Sequence, residues 1–124
     1  MSVVSVYAVF AAADEAERIG RQIVEERLAA CVNILGPIRS IYRWQGSLET
    51  SDEIAAIFKT SEEQAGALIT RIAALHSYDV PCIASWPIDQ ILGSYAEWVQ
   101  ESVSYVTKNN PAFSARKRPS RNLR

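Results

Sequence analysis

Six side chains between positions 42 and 79 combine aromatic surface with charge: Tyr42, Trp44, Glu53, Lys59, Tyr78 and Asp79. Apolar walls with a few placed charges are what a small-ligand site needs. Lys59 can hold an anion or pair with Glu53, because a spacing of six keeps both on one face of a strand. The same set also reads as a salt-bridge network with aromatic anchors, in which a buried charge needs a partner. A thiol–imidazole pair is the other chemistry on offer. His76 is the single histidine, and Cys82 follows it just past Tyr78. A lone histidine activates a nucleophile only where the fold brings the two together. The chain carries no Gly-rich phosphate loop, no G-x-S-x-G and no H-E-x-x-H, so we expect a protein that is not an enzyme and uses no organic cofactor. Cys31 lies among small and apolar residues and is expected as packing.

Several elements must position these groups. Val3 to Phe10 is a nearly continuous apolar run, expected as a first strand covered on both faces. A helix over 14–30 follows, with Asp14 as N-cap, Glu17 completing a capping box, and Ile19, Ile23 and Leu28 on its inner side. Residues 31–35 and 38–46 read as two limbs of one strand bent at Gly36-Pro37, where the proline implies a bulge or an edge. In the outer limb Tyr42 and Trp44 share one face, while Ile41 and Arg43 share the other. Gln45-Gly46-Ser47 offers a turn, and a third strand covers 48–60. Ser61 with Gln64, or Thr60 with Glu63, caps a second helix whose stripe is Leu68, Ile69, Ile72 and Leu75. Residues 78–81 break that helix, and 82–88 form a fourth strand. Ser94 with Glu97 caps a last helix that turns Tyr95, Trp98 and Val99 inward. The order β-α-β-β-α-β plus a helix is an α+β, ferredoxin-like sandwich: one antiparallel sheet with helices on one face. Its long hairpin leaves an aromatic-bearing edge that needs a partner.

A chain of 124 residues suits one domain, here 1–107, with a tail over 108–124. Residues 1–107 hold seven basic and fourteen acidic side chains, whereas the tail holds six basic ones and no acid. An acidic body disfavours nucleic acid. The tail is rich in Asn, Ser and Pro, which marks it as disordered. No run approaches the roughly 18 apolar residues of a membrane span, so no membrane association is expected. The start lacks a basic n-region, and the two cysteines form no framework. A cytoplasmic protein is expected.

The stretches ERLAACVN (26–33), SIYRWQG (40–46), Glu53, Lys59-Thr60, HSYDVP (76–81), Pro87-Ile88, and Tyr95 with Trp98 resemble, in order and spacing, the CutA family of divalent-cation tolerance proteins. The resemblance spans residue 3 to about residue 103. It implies a ferredoxin-like subunit in a tight homotrimer, with hairpins making contacts between neighbours and the six side chains named above near subunit boundaries. It also implies a link to copper(II) or another divalent cation. The family's copper site uses a cysteine ending the first strand and two histidines after the second helix. Those positions are Phe10, Leu75 and His76 here, so His76 is the remaining ligand candidate, with Cys82 as a soft donor nearby. The family commonly has Glu where Cys82 stands. Without metal, His76 is a helix-end residue set favourably against the dipole. The trimer is also similar to the PII-type regulatory trimers, which suggests an anionic metabolite near Lys59 as an alternative. A purely structural scaffold is the third reading.

Overall fold

The computed structural model describes residues 2–104. Its elements are β1 (Val3–Phe10), α1 (Ala13–Glu25), β2 (Cys31–Trp44), β3 (Ser47–Ser61), α2 (Glu62–Leu75), β4 (Ile83–Pro87) and α3 (Gly93–Val103). The strands form one antiparallel sheet in the order β2-β3-β1-β4. This is the expected ferredoxin-like arrangement with an added helix. The basic segment 108–124 lies outside the described residues, and no described helix is long and apolar enough to cross a membrane.

β1 is central, and its two-residue period serves two faces. Val4, Val6, Ala8 and Phe10 meet Ala16, Ile19 and Ile23 of α1, Leu68 and Ile72 of α2, and Phe58 of β3 in the main core. Burying one such large side chain contributes about 2 kcal/mol. Val3 points to the opposite face, where it joins Ala30, Val99 and Val103 in a second cluster. The expectation of helices on one face is therefore corrected. α3 covers one end of the other face, its Tyr95 hydroxyl 3.4 Å from Cys31 Sγ, because Val99 and Val103 need apolar cover that α1 and α2 leave no room to supply.

Helix ends follow local chemistry, not always as expected. α1 begins at Ala13, with Ala12 at the cap and no side-chain cap. Asp14 instead accepts the Glu15 amide at 3.0 Å, and Glu17 pairs with Arg21. The capping box is thus corrected. The helix also stops at Glu25, short of residue 30. Arg27 adopts φ 63°, and the Leu28 and Arg27 amides reach back to the Ile23 and Val24 carbonyls at 3.2 and 3.0 Å. That is a Schellman closure with arginine where glycine is usual. It frees Ala30 to donate to Lys59 and start β2. Glu26, exposed at the same corner, accepts two hydrogen bonds from Arg71 of α2. Those bonds, with a smaller one from Gln22, lower its carboxyl to about 2. α2 is capped as expected, the Gln64 amide donating to Ser61 Oγ at 3.3 Å. Ser94 does not cap α3, which starts a residue earlier at Gly93 with Leu92 in the cap position.

α1 lies close on β2. A Cβ on Gly20 would meet Val32 Cγ1 at 3.0 Å, so glycine sets that approach. β2 is bent where expected: Gly36 has φ 109° and the pairing register shifts between Ile34 and Gly36. Gln45 and Gly46, with φ 51° and 84°, make the two-residue turn that suits the right-handed twist of a hairpin. Beyond Ile38 and Glu53 this hairpin projects past the helices, and every residue from 41 to 50 is exposed.

Candidate functional site

A cavity of about 680 Å³ opens on the face of the sheet opposite α1 and α2. Tyr7 and Val9 of β1 form its floor, while Ile38, Ser40, Tyr42 and Trp44 of β2 form one wall. Glu53 of β3 and the α2–β4 loop, from Tyr78 through Cys82, close the other side. Strand alternation explains the floor, since Tyr7 and Val9 share the face that carries Val3. The loop is held by a buried polar cluster that the sequence did not announce. Glu15 of α1 accepts the Ser77 amide at 2.8 Å and the Ser77 hydroxyl at 3.0 Å.

His76 locks the same loop from beneath. Its side chain is wholly buried, and its ring stacks on Phe10 with centroids 5.1 Å apart. Nε2 donates to the Val9 carbonyl at 2.7 Å, and Nδ1 accepts the Tyr78 amide at 3.0 Å. These partners require the neutral ring protonated on Nε2. Both nitrogens are therefore occupied by protein. Phe10 and Leu75 offer no donor atom, and among the described residues no group of three or more His, Cys, Asp or Glu converges. Within one subunit the residues do not fit a copper ion. His76, expected as a cation ligand, has both ring nitrogens turned to the backbone within the subunit. It does not line the cavity, whereas Cys82 does, with an exposed thiol.

Tyr78 joins the loop to β3. Its hydroxyl donates to Glu53 Oε2 at 2.7 Å, and Glu53 is only 8% exposed. Desolvation of the phenol, followed by its bond to that carboxylate, pushes Tyr78 up to about 12 from 10.0. The fold stabilises the protonated phenol, so its contribution is complete below 10.0 and is lost as pH rises through about 12. An ultraviolet titration of tyrosinate is expected to show a late step at about 12 that disappears in Tyr78→Phe. Identical titrations for the two proteins would remove this assignment.

Of the residues expected to act together, the fold gathers Tyr42, Trp44, Glu53, Tyr78, Asp79 and Cys82 on one cavity. Lys59 stands apart. It shares a face with Glu53, but six residues of extended chain separate them by about 20 Å. Lys59 sits across from Cys31 and Ser5 near α3, and the expected Glu53–Lys59 pair gives way to Glu53–Tyr78. Tyr7, Ile38, Ser40 and Glu15 were missed. Alternation along β1 and β2 carries the signal for the first three, and nothing in the sequence signals the reach of Glu15 to Ser77.

Comparison with known proteins gives one consistent result. The family model of the CutA1 divalent ion tolerance protein matches residues 4–102. A divalent-cation tolerance protein CutA of Archaeoglobus fulgidus is 42% identical over 90 residues, covering 73% of this chain and 87% of that protein. A structure from the same organism, described as a periplasmic divalent cation tolerance protein, superposes with a TM-score of 0.79 at 38% identity, covering 82% of this chain and 99% of that one. The crystal structure of CutA from Xylella fastidiosa gives 0.81 at 36% identity, covering 84% and 100%.

Proposed function

Because this chain belongs to the CutA1 divalent ion tolerance protein family, we propose that it serves divalent-cation tolerance as a homotrimer whose clefts between subunits take a small ligand. The supporting observation is the outer hairpin. Ile41 and Leu48, 67% and 70% exposed, lie on one side of it, and Tyr42 and Trp44 lie on the other. Both faces of a two-stranded ribbon thus present apolar surface beyond the reach of the subunit's own helices. Such surface belongs at protein contacts, and identical subunits satisfy it by closing around an axis. The cavity lies beside the root of this hairpin, where a neighbour's ribbon would form part of its rim. Tyr42, Trp44, Glu53, Tyr78 and Asp79 supply this chain's share of the cleft.

The link to copper or another divalent cation rests on the family, and Cys82 is the accessible donor of the two side chains considered. No reaction is assigned. Cys31 and Cys82 are unpaired, which suits the cytoplasm. The regulatory alternative drew on Lys59 as an anion holder, and that lysine stands away from the cavity. Light scattering on the full chain is expected to give three times 13.8 kDa down to micromolar concentration. A soluble, well-behaved monomer there overturns the proposal.

A further inference from the structure

We infer that the cavity is a binding site for an organic ammonium ion. Four aromatic side chains, Tyr7, Tyr42, Trp44 and Tyr78, line it together with the carboxylates of Glu53 and Asp79. No Lys, Arg or His is among its described lining residues. The faces of aromatic rings carry negative electrostatic potential, and carboxylates carry the same sign outright, so the rings and the charged groups of the site both favour a cation. Glu53 is buried, and its partner among the described residues, the Tyr78 hydroxyl, supplies a hydrogen bond but no positive charge. A bare metal ion suits this setting poorly. It asks for several donors at short range, whereas the walls here are mostly rings and aliphatic carbon. An alkylammonium group matches both parts, its carbon shell against the rings and its charge near the carboxylates. The volume of about 680 Å³ lies in the usual range for small-molecule sites.

This inference rests on the reading of the cavity as a small-ligand cleft, and one pair of probes separates the two. Choline and 3,3-dimethyl-1-butanol have the same shape, but only choline is charged. Calorimetry on the full chain, with mass measured on the same sample, is expected to show choline binding at least about tenfold more tightly than the alcohol. Glu53→Gln keeps a hydrogen-bond acceptor for Tyr78 and removes the charge. It is expected to weaken choline about tenfold while leaving the alcohol unchanged. Trp44→Leu alters an exposed side chain, leaves the core alone, and is expected to weaken choline about fivefold. Equal affinity for the two probes overturns the ammonium inference and leaves the cleft standing. Failure of both to bind overturns the cleft reading beneath it. Choline binding by a monomeric sample supports the inference and sinks only the trimer.

Discussion

Replacing His76 with alanine is expected to lower the stability of the subunit by about 3–5 kcal/mol, a large share of the margin available to a domain of this size. The loss has two sources. An aromatic ring stacked on Phe10 leaves a void against the main core. The Val9 carbonyl and the Tyr78 amide lose their partner together, and a buried polar group left unpaired costs about 1–3 kcal/mol. The cavity wall formed by the 78–82 loop should loosen at the same time, visible as faster amide exchange at Tyr78. Copper affinity, by contrast, should not change, because neither ring nitrogen is available in the folded protein. A denaturant midpoint equal to that of the unsubstituted chain would refute the structural role. Loss of a saturable copper isotherm would restore His76 as a ligand.

The paired substitution Ile41→Glu with Leu48→Glu is expected to reduce the proposed trimer to single folded subunits. These two residues lie on one face of the hairpin, diagonally placed across the strands, and each is more than half exposed in the isolated subunit. Neither belongs to a core cluster, so the circular dichroism spectrum should stay that of the parent. In an assembly each side chain would lose about 2 kcal/mol of apolar burial, together about a thousandfold in each contact before the charge is counted. Carboxylates forced into an apolar contact without partners add to that loss. An unchanged mass would show that subunits meet through some other surface, or that the ribbon lies in solvent.

Much of the fold could be read from residue periodicities. The apolar run of β1, the kink at Gly36-Pro37, the Gln45-Gly46 turn and the Ser61 cap are each encoded within a few neighbouring residues, and each is where local chemistry places it. The misreadings concern choices that local chemistry leaves open. Asp14 is a good cap residue, but the cap falls two residues earlier at Ala12, and Glu15 is drawn inward by Ser77, a partner 62 positions away. Arg27 ends α1 in a conformation usually given to glycine, while its guanidinium donates to the Ser102 carbonyl at 3.1 Å. That long-range contact is invisible to any helical pattern. α3 has an apolar stripe, but a stripe does not say which side of a sheet it covers.

The candidate site was legible to a lesser degree. Residue types and alternation suffice to put Tyr42, Trp44 and Glu53 on a common face, because Ile38 pairs with Glu53 and the remaining wall follows by twos. Alternation alone also put Lys59 with Glu53, and there it misled, since a shared face says nothing about distance along a strand. His76 shows the opposite difficulty. Its identity was plain and its chemistry well defined, yet its role depended on which atoms the fold set against each nitrogen.

The kink at Gly36 has a consequence for handed placement. Inside it, Cys31 and Asn33 pair with Lys59 and Ile57, and these odd-numbered positions look toward α3. Outside it, the even-numbered positions Ile38, Ser40, Tyr42 and Trp44 look the same way. One surplus residue thus converts odd to even. Were the strand to run on through the same residues without the bulge, the outer ribbon would slip by one position against β3 and roll over: Arg39, Ile41 and Arg43 would swing into the place of the aromatic wall, bringing two guanidinium groups where the rings had been. The sign of the charge this molecule can welcome is thereby set by a single break in the alternation of its second strand.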